Sequence, residues 1–162
     1  MCQENVKVAL MSAIAGIQDN PGQAKVVFRA HTAMVEDVRC IATARNFATM
    51  DVDEPPELGG SNTAPSLVEL ALVALGTCQE IMYAAYAAVM DVPLDSVQVK
   101  LRGYLDLQGL LGVDASELSG YQNVVETMES RCPALVTLVR SIVVEGKVTI
   151  NGQRMETYDA AA

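Results

Sequence analysis

From Ser66 to Met90 the chain reads SLVELALVALGTCQEIMYAAYAAVM, a full helix length with almost no polar side. At about 1.5 Å per residue the predicted helix is roughly 35 Å long. A helix that is apolar on nearly every side has to be buried on nearly every side. One sheet can cover only one face, so the remainder calls for more of the chain or for a partner subunit. Glu69 and Glu80 divide the segment into uncharged runs far shorter than the ~20 residues that cross a bilayer, so it reads as a buried helix and no membrane span.

Both ends of the helix are marked. Ser66-Leu67-Val68-Glu69 fits a capping box, in which the Ser oxygen and the Glu carboxylate answer orphan backbone N–H groups. Upstream, residues 53–65 hold Pro55-Pro56, Gly59-Gly60, Asn62 and Pro65, turn formers too dense to lie inside an element. Gly59-Gly60 has no following Lys and reads as a turn, not a phosphate loop. Downstream, Val92-Pro93 disfavours continuation.

The rest of the chain alternates short elements. Residues 5–18 carry Val6, Leu10, Ala13, Ile14 and Ile17 at helical spacing, stopped by Asn20-Pro21-Gly22. Strands are predicted over 25–32, 38–44 and 47–52, with a turn at 33–37, as a meander. Strict alternation predicts a half-exposed strand over 97–105, and residues 108–120 read as irregular. A strand beginning at 121–125, a helix over 126–140 broken at Pro133 and a β segment over 142–150 turning at Glu145-Gly146 follow. The expected organisation is an N-terminal helical extension (1–22), one domain (23–150) and a C-terminal tail (151–162).

Half of the residues are apolar but only 4% are aromatic and none is Trp, so the core must be built from Ala, Val, Leu, Ile and Met. A net charge of −9 argues against a nucleic-acid groove, which needs clustered Lys and Arg. The first residues lack the basic-then-apolar pattern of a secretory signal. The four cysteines, Cys2, Cys40, Cys78 and Cys132, are scattered without zinc-site spacing, and the single His31 makes no metal site. A reducing cytoplasm is the expected location.

Local physics reads Cys78 as a small buried hydrophobe among Ala71, Ala74, Leu75, Ile81 and Met82. Cys132 has the more reactive address. The residue before Pro133 tends to be extended and Pro suits a first helical turn, which puts Cys132 at a helix N-terminus beside Arg131. Cys2 and Cys40 read as incidental, and Tyr83 and Tyr86 as core or subunit contacts.

Three stretches together give the chain a likeness. Residues 53–60 (DEPPELGG), then Pro65-Ser66-Leu67-Val68-Glu69-Leu70 running to Leu75-Gly76-Thr77-Cys78-Gln79, then Arg131-Cys132-Pro133, resemble the OsmC/Ohr family of thiol-dependent hydroperoxide reductases, in its OsmC-like branch. The similarity covers most of residues 25–140, and the loop-plus-helix motif is its specific part. It implies an α+β fold with an antiparallel sheet and a long buried central helix, two subunits intertwining as a homodimer. It also implies reduction of organic hydroperoxides in stress defence, with Cys78 attacking the peroxide and Cys132 resolving it to a disulfide. An external dithiol, of lipoyl type or another, would regenerate the thiols without a bound cofactor.

The sequence departs from that pattern in three places. Peroxidase members use a Glu near the start of this helix to hold an Arg against the thiol; here the acid, Glu69, is displaced by one position. On an ideal helix Glu69 lies ~180° around and ~13 Å along the axis from Cys78, and the capping box gives it a separate role. The family's Arg belongs near the first hairpin, where this turn has none; Arg39 and Arg29 flank it, with Arg39 the nearer candidate. Between Gln122 and Cys132 the resemblance implies a full strand and a longer helix, so either the chain is truly shorter there or a flexible segment is omitted from this sequence. These departures leave two other readings open: a non-enzymatic OsmC-like dimer that binds an apolar small molecule, and a redox sensor.

Overall fold

The computed structural model describes residues 3–114, 116–117, 121–123, 146–150 and 153–154 of the 162-residue chain. Helices and antiparallel strands are mixed, with two compact units: residues 15–73, and residues 1–14 together with 74–162. Helix α1 (Gln3–Asp19) and helix α2 (Leu67–Val89) each contribute to both.

In the unit of residues 15–73, strands β1 (Ala30–Glu36), β2 (Arg39–Ala44) and β3 (Met50–Val52) form an antiparallel sheet in that order, the expected meander. The first strand differs from the prediction. Residues 25–29 lie outside any strand, with Val26, Val27 and Phe28 exposed, and β1 continues through the predicted turn to Glu36. Asp37 explains the shift. Its left-handed backbone (φ 44°) closes a two-residue connection that sets Glu36 opposite Arg39, and the pairing is counted back from there. The register slips by one residue at Val35, between the pairs Met34–Cys40 and Glu36–Arg39. β3 starts later than predicted because Arg45, also left-handed, and the Phe47 N–H bonded to the Ala44 carbonyl make the preceding turn. Among the described residues of this unit no apolar side chain is buried.

The other unit holds the remainder of α2 and strands β4 (Val97–Leu101), β5 (Tyr104–Leu105), β6 (Tyr121–Asn123), β7 (Gly146–Ile150) and β8 (Gln153–Arg154). A single turn of helix, α3 (Leu107–Leu110), starts on the Asp106 side chain within the segment predicted irregular. One sheet runs β4-β7-β8, and a second pairs β5 with β6. The predicted strand 97–105 is thus broken at Arg102-Gly103, and β8 falls inside the predicted tail. β4 alternates half-buried Val97, Val99 and Leu101 with exposed Gln98 and Lys100, as its pattern demanded. Among the described strands β4 stands at the edge of its sheet, and Glu80 Oε1 accepts from the Val99 N–H at 3.3 Å. Gly76 lies on the same strip of α2, close enough to β4 that a Cβ there would meet Leu101 Cδ1 at 3.4 Å.

Helix α2 ends at Val89, one residue short of the predicted Met90 and ahead of Val92-Pro93. The Val92 N–H reaches back to the Ala87 carbonyl at 2.9 Å, with Asp91 left-handed (φ 56°), a Schellman-type stop. The N-terminal helix fastens this stop from outside. Gln3 Nε2 donates to the Val92 carbonyl at 3.0 Å, Gln3 Oε1 accepts from the Leu94 N–H at 3.3 Å, and Lys7 pairs with Asp91.

Candidate functional site

The start of α2 is built from the loop upward. Asp53 is 2% exposed, and its carboxylate accepts from the N–H groups of Glu54 (2.9 Å), Ser61 (3.2 Å) and Thr63 (3.0 Å) and from the Thr63 hydroxyl (2.8 Å). Bonds from the Thr63 N–H and hydroxyl, ahead of an opposing burial effect, hold its pKa below the ordinary 3.8. Gly60 is wedged beneath this loop: a Cβ there would stand 1.8 Å from the Glu54 carbonyl oxygen and 2.7 Å from Asp53 Oδ1. Replacing Gly60 by alanine is therefore expected to destabilise the fold by several kcal/mol, read as a lowered midpoint in urea with the slope unchanged.

The capping box is formed. Glu69 Oε2 accepts from the Ser66 N–H at 2.8 Å and from its hydroxyl at 3.1 Å, and the Glu69 N–H points at Ser66 Oγ at 3.4 Å. Ser66→Ala should cost about 1 kcal/mol of stability, measured by denaturant unfolding. Glu69 is thereby engaged at the first turn of the helix.

Cys78 is half-buried in the middle of α2. Ideal helix geometry puts it within ~60° of Ala74, Leu75 and Ile81. Leu75 is buried, while Ile81 is 66% exposed, so the thiol stands on the border between the covered and uncovered faces of the helix. Leu67 (64%) and Val73 (56%) extend the uncovered side. By length and composition α2 also qualifies as a membrane-crossing helix, a test that core helices pass as well; here Gly76 and Glu80 engage β4.

The next residue, Gln79, was not singled out by the sequence. It is 1% exposed, and neither its amide oxygen nor its amide nitrogen has a hydrogen-bond partner among the described residues. A polar residue at one position of an apolar helix was the available signal.

Arg39 opens β2. Its guanidinium lies 3.1 Å from Asp51 and 3.5 Å from Glu36, on a polar pocket of about 450 Å³ lined also by Asp37, Asp53 and the loop from Gly59 to Thr63. Arg39 is thus committed to two carboxylates, one of them (Asp51) a strand away in sequence. Cys132, with Arg131 and Pro133, lies outside the described residues, as do Cys2 and the predicted helix over 126–140. Cys40 is half-buried in β2 and His31 is exposed in β1. Among the described residues no group of three or more His, Cys, Asp or Glu side chains is placed to hold a metal ion.

No family model matches the sequence, and no curated protein does. Solved structures do. A protein from Psychrobacter arcticus 273-4, provisionally described as an osmotic stress induced and detoxification response protein, superposes with a TM-score of 0.56 at 12% identity, over 74% of this chain and 93% of its own. An organic hydroperoxide resistance protein OsmC from Legionella pneumophila superposes with a TM-score of 0.53 at 15% identity, over 74% of this chain and 94% of its own. The chain has the OsmC fold. The likeness read from the motifs at residues 53–60 and 65–79 is borne out at that level. At these identities the fold is what is shared, and chemistry has to be argued from the site.

Proposed function

We propose that this chain is an OsmC-like thiol peroxidase that reduces organic hydroperoxides in oxidative-stress defence, acting in the cytoplasm as a homodimer. The observation that carries this reading is the position of Cys78. It lies midway along the long helix of an OsmC fold, half-buried, where a covered face meets an apolar uncovered one.

The chemistry is a two-thiol cycle. The Cys78 thiolate attacks the terminal oxygen of R–O–O–H; the S–O bond forms, the O–O bond breaks, and the alkoxide leaves as alcohol after taking a proton. The resulting sulfenic acid condenses with the Cys132 thiol, releasing water and forming a disulfide, for which the two α-carbons must come within about 5.5–6 Å. An external dithiol, of lipoyl type or similar, reduces the disulfide by exchange, so no bound cofactor is needed. The apolar surroundings of Cys78 favour alkyl and acyl peroxides over hydrogen peroxide. Arg39 is the candidate cation for the thiolate, and Glu69 acts as a positioning residue by fixing the start of the helix that carries Cys78.

One observation favours a second reading, a non-enzymatic OsmC-like dimer that binds an apolar molecule: the Arg39 guanidinium is already held by Asp51 and Glu36. One equivalent of cumene hydroperoxide separates the two. Loss of two thiols per chain, much faster than for free cysteine, supports the peroxidase; a rate no faster than free cysteine refutes it.

A further inference from the structure

The loop between β3 and α2 has an unusual construction. Its backbone is drawn around a single buried carboxylate, that of Asp53, which receives three N–H groups and one hydroxyl. Ser61 and Thr63 point their N–H groups at this carboxylate. The conformation they hold is a demanding one. Asn62, between them, is left-handed (φ 54°), and Gly60 is pressed against the Glu54 carbonyl with no room for a side chain. Gly59, Gly60, Ser61 and Thr63 line the polar pocket together with Glu36, Asp37, Arg39 and Asp51.

We propose that the Asp53 carboxylate is an acid-sensitive latch: while ionised it holds residues 59–63 as a wall of this pocket, and its protonation releases that wall while the strands remain folded. An ionised carboxylate is an acceptor only, and hydrogen bonds to it are roughly twice as strong as those to a neutral group. Protonation replaces one acceptor site by a donor that faces N–H groups, so the loop loses charge assistance and gains a repulsive contact together. Backbone bonds that do not involve the carboxylate, among them Gly59 to Pro56, Gly60 to Pro55, Asn62 to Glu54 and Asp53 to Pro65, remain. They leave the N–H groups of Ser61 and Thr63 without an acceptor.

The charged neighbours do not set the direction. Glu36, Asp37 and Asp51 share the pocket and disfavour a further anion, Arg39 offsets them, and Glu54 turns its carboxylate to the Leu67 N–H at 3.4 Å. The four donors outweigh this, in line with the depressed pKa of Asp53. The sign follows: the folded value lies below the unfolded one. The latch is therefore fully closed above the ordinary aspartate value of 3.8 and opens as the pH falls beneath it.

Amide hydrogen exchange resolved by residue tests this directly. In the unaltered protein the Ser61 and Thr63 amides should be protected at neutral pH. They should lose at least about tenfold in protection below pH 3.8 while the amides of β1 and β2 stay protected. Loss of loop and strand protection in one common transition, or loop amides already unprotected at neutral pH, overturns the latch. Asp53→Asn should leave the loop amides open at neutral pH with the strands intact; retained loop protection in that variant also overturns it. Should Asp53→Asn fail to fold, the pH series on the unaltered protein decides alone.

Discussion

Replacing Cys78 by serine is expected to abolish the rapid consumption of thiols by cumene hydroperoxide, leaving only the rate of an unactivated cysteine. The expectation rests on the place of this side chain on α2. Its neighbours Ala74, Leu75 and Ile81 are small or apolar, so an alkyl peroxide can shed water on approach while its polar end meets sulfur. A serine hydroxyl fills the same space but is a far weaker nucleophile toward the O–O bond, so a fold kept intact should be inactive. The partner substitution distinguishes a two-thiol cycle from a single oxidation. Cys132→Ser should still react rapidly, but with one thiol lost per peroxide and a sulfenic acid that a dimedone-type probe captures. Equal rates for the Cys78 variant and the unaltered protein would remove Cys78 from the chemistry altogether. Slow reaction in all three proteins would instead favour the binding dimer, consistent with an Arg39 already held by Asp51 and Glu36.

What the sequence made legible were the features written in contiguous residues. The apolar helix, its Ser66–Glu69 cap and its stop at Val92-Pro93 were local signals, and α2 reproduces each of them. The meander was legible as a set of strands, but its first boundary was not. Val26, Val27 and Phe28 look like a strand by composition, yet pairing is decided by the turn at Asp37, where one left-handed residue moves β1 towards the C-terminus. The loop at 53–65 was legible as a turn but not as a structure organised by Asp53. Its Pro, Gly and Asn residues announce irregular backbone without saying which carboxylate gathers the N–H groups. Arg39 shows the same limit. Its nearness to the hairpin could be counted along the chain, while its bond to Asp51 depends on how β3 pairs with β2. Gln79 escaped because one amide in an apolar helix looks like a solvent-facing residue until the helix is packed.

Aspartate in place of Ile81 is expected to convert a dimer into monomers and to lower stability, by size-exclusion chromatography with light scattering and by thermal unfolding. Along the long helix Leu75, Ala87 and Ala88 are buried, while Leu67, Val73 and Ile81 remain largely open among the described residues. The four buried apolar residues among those described, Leu75, Ala87, Ala88 and Leu94, all belong to the unit of residues 74–162. The sheet β1-β2-β3 and the exposed run Val26-Val27-Phe28 thus have no apolar core of their own among the described residues. Apolar surface in this arrangement is stabilised when a second copy covers it, and a two-fold interface would bury Ile81 of both protomers. An unpaired carboxylate placed there loses its hydration without gaining a partner. At about 3 kcal/mol for the pair of substitutions, a conservative figure, the dimer dissociation constant should rise more than a hundredfold. Val73→Asp should act alike, whereas Lys100→Asp, on the exposed side of β4, should leave the assembly unchanged. A monomeric unaltered protein at tens of micromolar, or an Ile81→Asp variant as dimeric as its parent, would mean that the open face of α2 is not where two copies meet.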